Sequence, residues 1–337
     1  MSSTRDASLR AAEGLDRRAP GWIVVARKEF ADHLHSVRFA ILFVILGLAA
    51  VIPLYFAADA IRSAASQISD PRAVFLALFV LPPKDLPIPP VYGFVGIVAP
   101  LLGVAFSFDA INSERADGTL PRLLSQPIYR DDVIAGKFAA GLAMIMLVLV
   151  SIVTVISGFG ITRLGIIPAF GEVERVAAWL VLTIAWVSLW LAFGLLLSVV
   201  FRRAATAALA GFGFWLLFQI FGQLIVGLVA GVVAPYASAA TAQEALSLKA
   251  LSDTILRFVP LTLYQEGSSV ILNPSQTAVA IPTTIGQLAQ YEQQIPTLLS
   301  LDQSLLLVWP HVVALVALTA VCFALAYVRF MRQEVRA

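Results

Sequence analysis

The chain has 337 residues, of which 59% are hydrophobic and 13% charged, and its formal net charge is +2. Its mean hydropathy is +0.87. A soluble domain carries about 45–50% apolar and about 25% charged residues. The composition therefore excludes a disordered protein, a charged coiled coil and an ordinary soluble enzyme, and it predicts an all-α polytopic membrane protein. The sequence holds no dense cluster of basic residues, so nucleic acid is not expected as a partner.

Six stretches are long and apolar enough to cross a bilayer, which takes a helix of about 20 residues. In chain order they are spans one to six: residues 39–57, 91–108, 138–161, 176–200, 204–233 and 305–328. Pro100 is expected to kink span two because proline cannot donate a backbone hydrogen bond.

The spans divide the chain into four parts. Residues 1–38 are an N-terminal segment, and residues 39–233 hold spans one to five with a charged loop at 109–137. Residues 234–304 form a second long loop, and residues 305–337 hold span six and a tail. Lys and Arg divide 16 to 7 between the two sides, which predicts that both termini lie in the cytoplasm. Arg outnumbers Lys 19 to 4, which suggests a GC-rich bacterial genome and hence a bacterial cytoplasmic membrane.

Residues 21–37 have the pattern of an amphipathic helix. Trp22, Phe30 and Leu34 fall on one side, and Lys28 and Glu29 fall on the other. This pattern predicts a helix that lies on the membrane surface and leads into span one. The alternative is a simple cytosolic extension of span one.

The loop at 109–137 has a high density of charge for this chain. Gly118 is expected to interrupt its first helical turns, Thr119, Leu120 and Leu124 fit a short amphipathic helix, and Asp132 or its neighbour could cap span three. One interpretation is a structured docking element that passes force from a soluble partner into the membrane. The other is a solvated loop whose charges only fix the topology.

The loop at 234–304 has 71 residues, too many for a plain connector. We expect a small, mostly helical cap outside the bilayer. Such a cap could gate an exit, bind an extracytoplasmic partner, or only close the fold.

Motifs for chemistry are missing from the sequence. There is no GxxxxGK[ST] phosphate-binding loop, so ATP hydrolysis by this chain is not expected, and neither HExxH nor GxSxG occurs. Cys322 is the single cysteine, and His33 and His35 point in different directions on a helix, so no metal site is predicted. Spans two to six hold no Asp, Glu, Lys or Arg, which argues against an ion-coupled transporter or a channel.

Polar residues within the spans are few. In span five, Gln219 and Gln223 share a helix face, with Trp215 close to it. Helix packing is the favoured interpretation of this face; a substrate path or a dimer face is the alternative. His311 in span six is expected to be a buried, hydrogen-bonded histidine.

The segment DAINSERADGTLPRLLSQPIYRDDVIAGK resembles the region after the second span in ABC-2-type exporter permeases. ARKEF near the N-terminus resembles the first helix of that family. PLTLYQEGSSVILNP looks like a segment of some members, including the permease of the nitrous-oxide-reductase maturation exporter. The family pattern matches Asp109, Glu114, Gly118, Thr119, Leu120, Leu123, Leu124, Pro127, Ile128, Arg130, Gly136 and Lys137.

This resemblance implies a permease that pairs with a second copy, most simply as a homodimer, and docks two separate ATP-binding subunits. ATP and Mg²⁺ would be bound by those subunits and no cofactor by this chain. The apolar spans would suit a hydrophobic or amphipathic cargo moved outward. The resemblance places contacts to the ATP-binding subunits at Glu114, Gly118, Thr119, Leu120, Leu124 and Arg130, and on the first helix at Arg27, Lys28 and Glu29.

Two other functions stay open at this point. One is a membrane scaffold or mechanotransmitter that relays ATP-driven movement to an extracytoplasmic partner and transports nothing itself. The other is an intramembrane enzyme, such as a lipid transferase, for which Asp59, Asp109 and His311 are the groups placed near a membrane boundary.

Overall fold

The structure is a computed structural model that describes residues 20–65, 75–82, 89–119, 129–274 and 299–333, with the backbone alone for 57–65. Within these ranges every regular element is helical. The α-helices are α1 Gly21–Leu34, α2 Val37–Ala65, α3 Ala77–Val80, α4 Val91–Val98, α5 Pro100–Ala105, α6 Asn112–Ala116, α7 Arg130–Leu164, α8 Phe170–Val200, α9 Ala204–Leu216, α10 Gly222–Val233, α11 Ala242–Leu256, α12 Pro260–Leu272 and α13 Leu301–Met331. A π-helix, Leu217–Phe221, joins α9 to α10.

Five stretches of the described chain are long and apolar enough to cross a membrane. They are α2 over Val37–Phe56, α7, α8, the run Ala204–Ser238 that contains α9 and α10, and α13. They confirm predicted spans one, three, four, five and six as apolar helices of spanning length. Helices α7, α8 and α13 begin before the predicted spans, because their polar first turns continue the backbone hydrogen bonding that hydropathy does not detect.

Span two is interrupted at the proline where the sequence predicted a kink. It consists of the short helices α4 and α5, which together cover Val91–Ala105, fewer than the roughly 20 residues that a spanning helix needs. Pro100 has no N–H to donate to the Gly96 carbonyl, so the helix ends at Val98 and restarts at Pro100. The expected interruption at Pro100 is therefore present, as a break of one residue at Ala99, whose own backbone stays in the helical region.

One end of the bundle gathers the ends of several helices. Arg38 of α2 forms an ion pair with Asp109, just after α5, at 2.9 Å. Gln333, just after α13, donates to the carbonyl of Val199 in α8 at 2.9 Å and also bonds Arg115 of α6. We call this the charged end. The chain leaves it along α2 and has returned to it by the end of α5.

Helix α8 is the centre of the core. It makes its most extensive contact with α13 and also packs on α5, α7 and α12. Its tryptophans Trp179 and Trp186 are fully buried, and the Trp186 indole donates to the Gly96 carbonyl at 2.9 Å.

Helix α12 lies among the long helices, between α8 and α13. Its fully buried Tyr264 stacks on Trp186, which lies midway along α8, with ring centroids 5.8 Å apart. Ser268 accepts a hydrogen bond from Trp179 at 3.2 Å. This part of the loop predicted as a cap outside the bilayer is therefore packed into the bundle, because its aromatic and small residues complete the surface of α8.

Hydrogen bonds from buried polar side chains join the helices at the end of the bundle opposite to the charged end. Glu172 accepts from the backbone N–H of Phe75 at 2.8 Å, just before the buried helix α3. Buried Arg175 donates to the carbonyl of Ile271 at 2.8 Å and to the hydroxyl of Ser304 at 3.2 Å. These bonds satisfy helix ends that would otherwise be buried without partners.

Candidate functional site

A buried lysine at the charged end joins three segments of the chain. The Lys137 side chain on α7 is 3% exposed. Its ammonium lies 3.0 Å from a carboxylate oxygen of Glu29 on α1 and 2.7 Å from one of Glu114 on α6. Lys28 lies 3.2 Å from both Glu29 and Asp32. We call these five residues the Lys137 cluster.

A glycine brings α1 close enough to form this cluster. A Cβ atom on Gly136 would lie 2.7 Å from the Trp22 carbonyl oxygen and 2.7 Å from a carbon of Val25, so only glycine allows α1 to lie directly on α7. The backbone N–H of Trp22 donates to Asp132 at 3.1 Å. Asp132 therefore caps α1, whereas the sequence predicted a cap for its own helix; the cap residue of α7 is Tyr129. In the G-K pair of the motif, Gly136 therefore lets α1 approach α7 closely, and Lys137 then forms ion pairs with the neighbouring segments.

A second ion pair ties α2 to the end of α5. Besides its pair with Asp109, Arg38 donates to the Ala105 carbonyl at 3.2 Å, and its guanidinium lies 4.9 Å from the centroid of the Phe108 ring. The planar Arg38 guanidinium forms hydrogen bonds along its edge and stacks on an aromatic ring with its face, so it is held in one orientation.

A third set of bonds fixes α6 to the ends of α8 and α13. The Ser198 hydroxyl of α8 accepts from the Ile111 backbone N–H at 2.8 Å. Arg130 donates to the Gln333 carbonyl at 3.1 Å, and Arg115 bonds the Gln333 side chain. Burial lowers the pKa of Arg115, and the nearby cations Arg202 and Arg329 lower it further.

The Lys137 cluster and the ion pair between Arg38 and Asp109 line a polar cavity of about 450 Å³. Its lining mixes acids and bases, and its chemistry is that of a rigid, ion-paired recess between α1, α2, α6 and α7. Such a recess can hold helices in fixed relation and offer charged rims to a partner. It is lined by Lys28, Glu29, Asp32, His33, Ser36, Val37, Arg38, Asp109, Ala110, Ser113, Glu114 and Lys137.

The pairing changes the acid–base properties of α1. Burial alone would raise the pKa of Glu29, but Lys137 and Lys28 outweigh it and the pKa is lowered. Burial also lowers the pKa of His33, whose ring meets Phe106 edge-on at 5.3 Å; Lys137 and Arg38 act in the same direction, and Glu29 and Asp109 oppose them. The folded protein therefore favours neutral His33.

This shift predicts a pH effect on stability. The folded-state pKa of His33 lies below its ordinary value of 6.5, so the unfolded state binds more protons there and stability falls as pH drops through this range. The ion pairing of Glu29 stabilises the folded state at any pH above the ordinary pKa of this carboxyl, 4.5. Its contribution to stability is therefore constant between about pH 5.5 and 7.5. We expect the midpoint of thermal unfolding to fall as the pH is lowered from about 7.5 to 5.5, and to fall less in His33→Gln. The matched control is His35→Gln, an exposed neighbour; equal slopes in the two variants would contradict the assignment.

Some of the site residues predicted from the sequence come together here. Lys28, Glu29 and Glu114 belong to the Lys137 cluster. Gly118 has a φ of 67° and ends α6, a conformation that favours glycine. The remaining residues are placed as follows: Thr119 bonds the Glu114 carbonyl at 3.2 Å, Arg130 bonds Gln333, Arg27 is exposed on α1, and Leu120 and Leu124 lie outside the described residues.

Other residues of the site were missing from the predicted contact set. Lys137 and Asp109 stood in the motif without a predicted role in docking, and Arg38 and Gln333 were not singled out. A usable signal was present for Lys137: a lysine at the edge of an apolar run needs a buried partner, and acidic residues were available in both flanking segments.

The predicted face of span five lies elsewhere, within the bundle. Gln219 donates to the Gly96 carbonyl at 2.8 Å, and Trp215 donates to the Ile97 carbonyl at 2.9 Å. Gln223 instead donates to Gln265 of α12 at 2.7 Å. The three residues therefore contact two different neighbours in the same chain.

A second polar cluster involves span six. His311 lies 2.8 Å from Glu266 of α12, which also accepts from Arg257 at 2.8 Å. Spans two to six hold no Asp, Glu, Lys or Arg, and the charges beside span six come from the loop after span five. His311 is buried and hydrogen-bonded, as expected.

Comparison with known proteins gives a family for this architecture. No curated protein matches the chain. A family model described as ABC-2 family transporter protein matches residues 23–335, from the first turn of α1 to just after α13. Permeases of this kind are integral membrane components that associate with an ATP-binding subunit in a transporter complex. The chain thus belongs to the ABC-2 family of transporter proteins and is a permease subunit of an ABC transporter.

Proposed function

We propose that this permease serves an ATP-driven exporter that moves a hydrophobic or amphipathic cargo outward, with ATP and Mg²⁺ bound by a separate subunit. The observation that carries the proposal is the Lys137 cluster. One buried cation joins the amphipathic helix α1, the segment after span two and the start of span three, so these three elements move as one unit. A partner that displaces this unit displaces the membrane helices with it.

The exposed rim of the charged end is the proposed docking surface. Arg27 on α1 and Thr119 after α6 are both exposed beside the Lys137 cluster. The buried members would hold the surface in shape, and the exposed members would contact the ATP-binding subunit.

We further propose six membrane crossings, with α4 and α5 together forming the second. Contacts at the charged end support this topology, since the chain starts there before α2 and is there again after α5. The charged end would face the cytoplasm of a bacterium, with both termini on that side. The excess of Lys and Arg in these segments supports the same orientation.

The complete transporter would hold two permease copies and two ATP-binding subunits. Only 17% of the most apolar window in Ala204–Ser238 is buried within the chain. We propose that a second copy of the chain covers part of this surface. Its most exposed apolar side chains include Leu209, Phe212, Ile220, Leu224, Leu228 and Val232.

Docking can be tested with two variants that carry the same type of substitution, one at each end of the bundle. Arg27→Glu changes an exposed arginine of α1, and Arg163→Glu changes an exposed arginine at the far end of α7. We expect the wild type to co-purify with an ATP-hydrolysing protein in mild detergent. Arg27→Glu should reduce its recovery about fivefold or more, as expected for a contact worth more than about 1 kcal/mol, while Arg163→Glu should leave it unchanged.

The outcomes separate the proposal from its rivals. If no ATP-binding protein accompanies the intact wild type, the exporter function is wrong. A complex whose ATP hydrolysis depends on an extracytoplasmic partner, and which moves no lipid-like probe in vesicles, would indicate a mechanotransmitter instead.

A further inference from the structure

The break in span two leaves the Gly96 carbonyl without its usual helical donor. Pro100 has no N–H, so the Gly96 carbonyl cannot form the bond that a continuous helix would give it. The next carbonyl, of Ile97, also lies at the break. A buried carbonyl without a partner costs about 1–3 kcal/mol, so this arrangement needs donors from elsewhere.

Side chains of two neighbouring helices supply these donors. Trp186 of α8 donates to the Gly96 carbonyl at 2.9 Å. Gln219 of the π-helix donates to the Gly96 carbonyl at 2.8 Å and to the Ile97 carbonyl at 3.1 Å, and Trp215 of α9 donates to the Ile97 carbonyl at 2.9 Å. Carbonyl oxygens only accept, so the Gln219 amide nitrogen must face the break.

The π-helix separates the roles of the two glutamines in span five. Gln219 lies within it, is 5% exposed and faces span two, whereas Gln223 follows it and bonds Gln265 of α12. A π-helix is a rare local widening that changes the register of the residues on either side, and such segments often occur at functional positions. Span five is thus shaped to hold both span two and α12.

Span two is in turn tied to the charged end. Arg38 bonds the Ala105 carbonyl at the end of α5 and pairs with Asp109. The short helix α5 thus connects the charged end directly to the break.

We propose that Gln219 and Trp215 form a latch through which span five moves with span two when an ATP-binding subunit displaces the charged end. They act as positioning residues, because they hold the carbonyls of the break and carry displacement from α5 to α10. The inference rests on the proposed function, since the displacement comes from the ATP-binding subunit.

The test compares two identical substitutions one helical turn apart. Gln219→Leu removes the two bonds that Gln219 donates to the break, and Gln223→Leu removes the bond to α12 but leaves the latch intact. Hydrogen–deuterium exchange would be followed in nanodiscs holding the permease and the ATP-binding subunit purified with the wild type, with and without ATP and vanadate. Trp215→Phe serves as a milder variant, because it keeps the ring and loses the N–H.

We expect ATP to change exchange in both α4–α5 and α10 of the wild type. In Gln219→Leu the change at α10 should fall about fivefold or more, the lower range of allosteric coupling, while the change at α5 persists. Trp215→Phe should lose part of the response at α10, and Gln223→Leu should behave as the wild type.

Three results would overturn the latch: a full response at α10 in Gln219→Leu, an equal loss in Gln223→Leu, or a wild type in which ATP changes exchange at α5 but not at α10. A wild type that binds no ATP-binding subunit would refute the proposed function instead, and the two failures are therefore distinguishable.

Discussion

Lys137→Met is expected to destabilise the protein by about 3–5 kcal/mol, the usual cost of removing one partner from a buried ion pair. The variant leaves Glu29 and Glu114 facing one another, with side chains only 13% and 17% exposed and no shared counter-ion. Helix α1 should lose its fixed position on α7 as a result. Thermal unfolding followed by tryptophan fluorescence measures the stability, and limited proteolysis after α1 measures its release.

Two further variants make this result specific. Lys249→Met removes another ion-paired lysine, but one that is 37% exposed, and it should cost less than about 1 kcal/mol. Adding Glu29→Gln and Glu114→Gln to Lys137→Met should recover most of the lost stability, because no uncompensated charge remains. If Lys137→Met and Lys249→Met were equally stable, the Lys137 cluster would not hold the charged end together.

Gly103→Ala is the second substitution with a large expected effect, about 3 kcal/mol. The added Cβ would lie 2.6 Å from the Val187 carbonyl oxygen and 2.6 Å from the Leu191 nitrogen. Both are backbone atoms of α8, so no side chain can rotate away and α5 must shift off the core helix. Overpacking in a core costs about 1–3 kcal/mol, and a backbone contact belongs at the upper limit.

The matched control is Gly158→Ala on α7, where nothing lies within 4 Å of the added atom. This change should be neutral or stabilising by up to about 1 kcal/mol, because alanine favours helix more than glycine does. Urea unfolding in the same detergent compares the two variants. Equal destabilisation would show that the contact between α5 and α8 is not close.

The long apolar helices could be predicted because hydropathy over about 20 residues is a local property. The break in span two could be predicted only in part. Pro100 signals the interruption, but the break at Ala99 is stable here because Trp186, Gln219 and Trp215 supply donors from distant parts of the chain. A local pattern does not contain those partners.

The same limit applies to the candidate site. The family resemblance pointed to Glu114, Gly118 and Glu29. The role of Lys137 depends on contacts with two segments remote in sequence, and these arise only once Gly136 has brought α1 onto α7. The placement of α12 against Trp186 was missed for a similar reason, because a loop of mixed composition gives no sign of the surface that it will cover.

Cysteine footprinting tests the central claim, that an ATP-binding subunit docks on the charged end. In a Cys322→Ser background, single cysteines would replace three exposed residues: Arg27 and Thr119 at the charged end, and Ile167 at the opposite end. Maleimide labelling is then timed with and without the ATP-binding subunit. We predict that labelling slows about tenfold or more at 27 and 119 and stays unchanged at 167, since a buried interface excludes solvent. Unchanged labelling at 27 and 119, or protection at 167, would contradict the account.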